Sequence, residues 1–360
     1  MDNVLITGNL GYNGVWVTKT LRNAGYHTIG FDSNYYEHNF FDCTECLPDA
    51  QITKDIRRIE ESDLEGINAI VHLAALSNDA TGELNPELTF KINRDATIQL
   101  ARLAKKQTVR KFIFASSCSV YGISDCATCV DEESVLQPLT AYAKAKTQAE
   151  SELVKLHDTS FAVVIMRNAT MHGPSCKLRL DLVVNNLVAY AYIYNKVKIL
   201  SDGTPWRPLL SVADFAQAVL LLLKNEANHI IYNVGANTEN YQIRTLAQIV
   251  REITGAELEI NKDKTPDERS YKVDFSRFEN EFPDFRVKMP VRESVIELIK
   301  AYRKCGLTEG DFLGPKYFRI RTLKDLLAQG IINGNLEKLP CPMPIERTGV
   351  CCKTRWKSPV

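Results

Sequence analysis

The chain of 360 residues is long enough for one large α/β domain or two smaller ones. Its 44 basic and 44 acidic side chains cancel, and 45% of its residues are apolar, a balance that argues against a nucleic-acid or membrane-surface role. The longest apolar runs, near 182–194 and 219–223, are too short or too polar to span a membrane. A strand that begins almost at Met1 leaves no room for a signal peptide, so a cytoplasmic enzyme is expected.

Val4, Leu5 and Ile6 suit a buried parallel strand over 3–7, and Gly8, Gly11 and Gly14 follow at every third position. Glycine lets a backbone turn sharply and approach a pyrophosphate closely, and the helix expected over 12–24 aims its unpaired N–H groups at the phosphates. A second strand over 27–31 ends in Asp32, 18 residues beyond Gly14. That is near the spacing at which an acid binds an adenosine ribose. A carboxylate there accepts from the 2′-hydroxyl and repels a 2′-phosphate. No Arg or Lys follows for many positions, so NAD rather than NADP is the expected cofactor. Asp55, after a short run near 51–53, is placed to approach the adenine end.

Strand-like runs recur at 69–74, 111–116 and 161–166, with helical segments at 86–106 and 140–157 between them. Asn85 and Pro86 form a cap and first-turn pair for the former helix. Beyond Arg167 the rhythm breaks into loops and helices near 180–195, 212–224 and 243–254, and one run, 230–234, is expected to rejoin the sheet. The reading is an α/β protein: a Rossmann-type doubly wound parallel sheet over 1–167, with a smaller, interleaved C-terminal α/β substrate-binding lobe over 168–335. Residues 336–360 read as a loosely attached tail.

Ten cysteines in a cytosolic chain are expected to be reduced thiols. The C-x-x-C pairs Cys43/Cys46 and Cys126/Cys129 fall on the adenosine side and the reaction side of such a sheet, so no metal site is expected between them. The chemistry is expected at the end of the fifth strand, where Ser116, Ser117 and Ser119 cluster. Tyr142 and Lys146, four residues apart on the next helix, share one face. A neighbouring ammonium and a positive nicotinamide ring would lower the phenol's pKa, fitting it to take a proton from a sugar hydroxyl. Tyr192/Lys196 and Tyr194/Lys198 have the same spacing, but only Tyr142 opens a helix directly after the serine cluster.

These segments resemble the extended short-chain dehydrogenase/reductase family, specifically its nucleotide-sugar epimerases and dehydratases. The residues that carry the resemblance are TGNLGYNG at 7–14, Asp32, HLAA at 72–75, SSCSVYG at 116–122, YAKAK at 142–146 and RNATMHGP at 167–174. DGTPWRPLLSVADFAQA at 202–218, YNVG at 232–235 and DERSYKVDFS at 267–276 continue it. The resemblance implies that Ser117, Tyr142 and Lys146 are catalytic. It implies NAD contacts from Gly8, Gly11, Tyr12, Asn13, Gly14, Asp32, Asp55, Ile56, Leu73, Ala74, Ala75, Asn93 and Asn168, besides Tyr142 and Lys146. Ser77, Ser119, Thr170, Arg207 and Arg269 are implied at a nucleotide-sugar substrate, the arginines on its diphosphate. A homodimer through the helices at 86–106 and 140–157 is implied as well.

Several positions depart from the family pattern. Ser119 stands where sugar 4,6-dehydratases carry a Glu, which counts against loss of water. Thr170 and His172 replace a usual Asn and Tyr, and Pro208 and Ser211 depart from the common arginine-containing segment. His72 is expected to end a buried strand beside the cofactor, and His172 to pack or hydrogen-bond rather than react. The expected function is NAD-dependent epimerisation through a transient keto-sugar, at C4. The alternatives are a nucleotide-ketosugar reductase, a 4,6-dehydratase, or a non-catalytic dinucleotide-binding regulator.

Overall fold

The computed structural model describes residues 2–39, 47–124, 128–260 and 269–339. Strand β1 (Asn3–Thr7) feeds the glycine turn and α1 (Gly14–Asn23), and β2 (His27–Asp32) and β3 (Ala50–Thr53) extend the sheet outward on that side. Strand β4 (Ala69–His72) pairs with the other edge of β1. The chain then runs through α2 (Asp79–Gly82), α3 (Pro86–Phe90), α4 (Ala96–Lys106), β5 (Lys111–Ser117), α5 (Ala141–Leu156) and β6 (Ala162–Asn168). The expected single helix over 86–106 is thus interrupted. Lys91–Asp95 form one wider π turn between α3 and α4, a feature found most often near functional sites.

The lobe begins with β7 (Thr170–His172), α6 (Val183–Tyr194), β8 (Lys196–Ile199), β9 (Trp206–Ser211) and α7 (Val212–Lys224). Strand β10 (Ile231–Val234) rejoins the main sheet beside β6, as expected. Then follow β11 (Asn240–Gln242), α8 (Ile243–Thr254), β12 (Glu257–Ile260), α9 (Ser276–Glu281), α10 (Val291–Cys305), α11 (Glu309–Leu313) and α12 (Arg319–Ala328). Among the described residues the main sheet has seven parallel strands in the order β3-β2-β1-β4-β5-β6-β10. The order reverses between β1 and β4, so a crevice opens beyond the strands' carboxyl ends there.

Two apolar cores cover the sheet. Val17 and Leu21 of α1 pack with Phe215, Val219 and Leu222 of α7 on one face. Leu100, Ala101 and Ala104 of α4 pack with Ala149 and Leu153 of α5 on the other. The lobe has its own core around α6, α8 and α10. No described helix is long and apolar enough to cross a membrane.

Two expectations need correction. Residues 336–339 do not hang as a tail: Leu336 is buried in the α4–α5 core and Glu337 pairs with Arg58. Backbone pairing and one apolar anchor hold them, and composition alone does not reveal either. The thiols are not all reduced, because Cys176 is disulfide-bonded, while Cys118, Cys129 and Cys305 are free. Cys43, Cys46, Cys126 and the cysteines beyond 339 lie outside the described residues.

One buried ion pair ties α5 to the sheet. Glu150 accepts from Arg167 of β6 at 2.8 and 3.0 Å and from the Ser116 hydroxyl of β5. Both charges are about 4% exposed. Arg167 also donates to the Tyr121 hydroxyl and the Glu132 carbonyl, each at 3.1 Å. Removing one partner of such a pair strands the other charge. Glu150→Ala is therefore expected to lose about 3–5 kcal/mol in urea unfolding; a loss under about 1 kcal/mol would show that water reaches Arg167.

Candidate active site

A cleft of about 660 Å³ runs along the carboxyl ends of the strands and between the sheet and the lobe. At one end lies the glycine turn. Gly8 has φ +74°, and a side chain there would meet the Ala74 nitrogen at 2.8 Å. Gly14 lets α1 start against the turn, since a Cβ would come within 2.2 Å of the Gly8 carbonyl oxygen. Both glycines are therefore required by packing, and together they bring the start of α1 to the cleft. Tyr12 and Asn13 complete that wall.

Asp32 ends β2 in the same wall. Its carboxylate accepts from the N–H groups of Leu10 at 3.2 Å and Asn34 at 2.7 Å. Burial pushes its pKa up, and those two bonds oppose the rise. Asp55 and Ile56 also line the cleft. The Asp55 carboxylate, however, is taken up by Arg57, which approaches at 2.5 Å. Leu73, Ala74 and Ala75 run along the floor. Asn93 does not line the cleft: it lies in the π turn, accepts from the Leu76 N–H at 2.8 Å and donates to the Leu76 carbonyl at 3.1 Å. It holds that floor from behind.

The cluster of Ser117, Tyr142 and Lys146 sits at the far end of β5. Thr140 caps α5 by accepting from the Ala143 N–H, which puts Tyr142 in the first turn and Lys146 one turn further. Gly82 makes room for the tyrosine, because a Cβ there would lie 3.0 Å from that of Tyr142. Ser117, the last residue of β5, accepts from the Ser119 N–H at 3.1 Å, so it caps its own turn while it faces the cleft. Burial pushes the Tyr142 phenol up to about 12, Asp79 adds to the rise, and a hydrogen bond with Ser117 opposes it. Lys146 is not among the causes, so the lowering expected from a neighbouring ammonium is not seen; the part expected from a nicotinamide ring belongs to the NAD-bound protein. Lys146 Nζ is drawn to the Ala115 carbonyl at 2.7 Å and lies 4.4 Å from the Phe114 ring centre, against 5.9 Å from that of Tyr142. Burial pulls its own pKa down to about 7, and Glu150 opposes that.

The other tyrosine–lysine pairs form no such cluster. Tyr192 packs on Tyr302, and Lys196 pairs with Glu259 at 2.5 Å on the lobe's small sheet. Tyr194 packs against Phe312. His72 is buried at the end of β4 between Thr7 and Thr97, and burial holds it neutral with a pKa of about 3. His172 bonds Ser294 at 2.8 Å and is outside the cleft lining.

Ser77, Ser119 and Thr170 line the remaining wall, with Arg207 and Arg269 from the lobe. Ser77 accepts from Arg179 at 3.2 Å. Arg207 donates to the Trp206 carbonyl at 2.8 Å and to that of Arg269. Arg269 pairs with Asp79, which also accepts from Thr140 at 2.5 Å. The cleft residues Asp79, Arg179, Asp181 and Arg319 carry no motif signal; they meet only through the fold. Four buried polar atoms in the lining have no hydrogen-bond partner among the described residues: Asn13 Oδ1, Ser119 Oγ, Asn168 Oδ1 and Arg319 Nη1. Buried polar atoms are normally satisfied, so a polar ligand fits here. The glycine turn, Asp32 and these orphan atoms together suit a dinucleotide with a second polar ligand beside it.

Known proteins agree with that geometry. Residues 4–235 match the family model described as the NAD dependent epimerase/dehydratase family. A UDP-glucuronate 4-epimerase of Thermodesulfobacterium geofontis is 26% identical over 269 residues, covering 71% of this chain and 81% of the relative. The fold is shared with an NAD-dependent NDP-hexosamine 5,6-dehydratase of tunicamycin biosynthesis at a TM-score of 0.75 and 20% identity, covering 84% of this chain and 98% of that one. It is shared too with a UDP-glucuronic acid 4-epimerase from Bacillus cereus, in complex with UDP-glucuronic acid and NAD, at a TM-score of 0.71 and 23% identity, covering 84% of this chain and 99% of that one. With the match spanning the dinucleotide half and the start of the lobe, the chain belongs to the NAD dependent epimerase/dehydratase family.

Proposed function

We propose that this enzyme inverts a hydroxyl-bearing carbon, C4, of a nucleotide-bound hexose by oxidising it to a keto-sugar and reducing it again. The observation that carries this reading is the meeting of Ser117, Tyr142 and Lys146 at one end of a cleft whose other end is the glycine turn and Asp32. NAD, when bound, supplies the reversible hydride acceptor, and its cationic ring favours the phenolate of a nearby tyrosine. The start of α1 would hold its diphosphate and Asp32 its adenosine ribose.

Tyr142 accepts the proton from the sugar hydroxyl and later returns it. Ser117 donates to the same oxygen, which keeps the reacting carbon in register. Lys146 contributes positive charge one helical turn below, and a pKa near 7 lets it hold or release a proton at working pH. Arg207 and Arg269 grip the substrate diphosphate, with Arg269 exchanging Asp79 for phosphate oxygens. The cleft residue two positions before Tyr121 is Ser119, and Asp79 is held by Thr140 and Arg269. With a serine rather than a carboxylic acid at that position, the reading favours epimerisation over dehydration. The outer faces of α4 and α5 carry the dimer contact in this reading, with Val154 38% exposed among polar neighbours. Sedimentation of the purified chain tests that assembly.

Incubation with a panel of UDP- and dTDP-hexoses is expected to invert C4 without added NADH. A strict requirement for stoichiometric NADH would replace epimerase by ketosugar reductase. Tyr142→Phe is expected to lower kcat by about 10²–10⁴-fold while NAD affinity stays within about twofold of wild type, as measured by calorimetric titration.

The depressed Lys146 pKa has a consequence for stability. Its pKa falls from 10.5 in the unfolded chain to about 7 in the fold. Between those values the unfolded state binds the extra proton, so stability contributed at this site rises with pH across that window and is lost below it. In nucleotide-free protein, Lys146→Met is expected to flatten the rise and to gain on the order of 2 kcal/mol at pH 7. Urea unfolding of both proteins from pH 6 to 9 measures this; parallel pH curves would place water at the ammonium.

A further inference from the structure

The chain continues past the lobe and returns to the sheet. Tyr317 and Phe318 pack in the lobe core, whereas Leu323, Ile332 and Leu336 are buried in the α4–α5 core of the sheet. The Tyr35 hydroxyl donates to the Leu336 carbonyl, and Arg58 meets Glu337 at 3.1 Å. Residues 319–337 are therefore a strap joining the two halves across the cleft. They lie beyond residue 235, where the family match stops.

Arg319 opens the strap's helix. It is 2% exposed yet lines the cleft. Its guanidinium lies 4.0 Å from the Tyr36 ring centre and donates through Nη2 to the Lys177 carbonyl at 3.2 Å. Its Nη1 is buried and has no hydrogen-bond partner among the described residues. The acids that face it are committed elsewhere: Asp181 pairs with Arg179 at 3.0 Å, and Asp32 accepts from Leu10 and Asn34. Lys177 and Arg179 add positive charge to the same corner. Such a donor is costly to leave unpaired. Tyr12 of the glycine turn, Asp32 and Tyr36 lie within its electrostatic reach, and all of them line the same cleft as the start of α1. An anion belongs at that helix start.

We infer that Arg319, delivered by the C-terminal strap, donates its unpartnered Nη1 to the diphosphate of the bound dinucleotide, so that the strap clamps the cofactor from the lobe side. The inference rests on the assignment of the cleft to NAD. The strap makes cofactor retention depend on a segment outside the matched family region, and it couples the seating of the lobe to occupancy of the cleft.

Calorimetric titration of the nucleotide-free full chain with NAD, ADP-ribose and adenosine tests this. Arg319→Met is expected to weaken NAD and ADP-ribose about 10- to 100-fold and to leave adenosine unchanged. Its melting temperature without nucleotide is expected to hold or rise, because an uncompensated buried charge is gone. Should that variant not fold, Arg319→Lys carries the test, with at least a threefold loss for NAD expected and none for adenosine. Unchanged NAD affinity, or an equal loss for adenosine, overturns the inference. So does a lower melting temperature with affinity retained, which marks a strut. Failure of the wild-type chain to bind NAD or ADP-ribose overturns the cofactor assignment as well, and so separates the two.

Discussion

The placement of one helix against two strand ends governs the rest of the structure. Lys146 and Glu150 lie one turn apart on α5, and both are buried. The lysine is pinned to the Ala115 carbonyl of β5, and the glutamate to Ser116 of β5 and Arg167 of β6. Three charges in a dry interface tolerate little displacement, because every lost bond strands a charge. The first turn of α5 is thereby held, and with it Tyr142 against Ser117. The placement of the Ser117 and Tyr142 hydroxyls is thus set by charged groups packed beneath them. Packing alone would let a helix slide; the charged ladder gives it one register.

Much of this was legible in the sequence because it is carried by local pattern. The strand–glycine–helix–strand–acid series is contiguous, and its order alone places a dinucleotide fold. The boundaries of α7 and α8 follow directly from apolar periodicity between clear stops. The meeting of Ser117 with Tyr142 and Lys146 was legible for another reason: a strand end and the next helix start are neighbours in any such sheet. What was hidden depends on contacts between distant segments. The π turn at Lys91–Asp95 leaves no trace in helix propensity, and it exists where Asn93 bonds Leu76. The burial and the Asp79 carboxylate that raise the Tyr142 pKa come from tertiary packing, and spacing on a helix says nothing of where a flexible ammonium points. Lys146 points to a carbonyl and the Phe114 ring instead. Arg319, in an amphipathic helix near the end of the chain, has no sequence signal that separates it from a surface residue. Only the return of the strap brings it to the cleft.

The cleft shows a consistent electrostatic design. Its cations come mainly from the lobe, and two of them rest on carboxylates: Arg179 on Asp181 and Arg269 on Asp79. A diphosphate ligand can replace such a partner without leaving a bare charge, so exchange at Arg269 costs less than exposure would. Asp79 links this exchange to chemistry, because it contributes to the raised pKa of Tyr142 and shares Thr140, the cap of α5. When Arg269 moves to a phosphate, Asp79 keeps only the Thr140 hydroxyl, and its negative charge is no longer balanced. That would hold the phenol protonated more strongly unless the cationic nicotinamide ring is beside it. In the proposed reaction, the carboxylate that pairs with Arg269 before substrate arrives would thus make proton abstraction depend on the oxidised cofactor. In that proposed reaction an empty or reduced site would keep Tyr142 neutral, so the acid–base group would act only with a hydride acceptor in place.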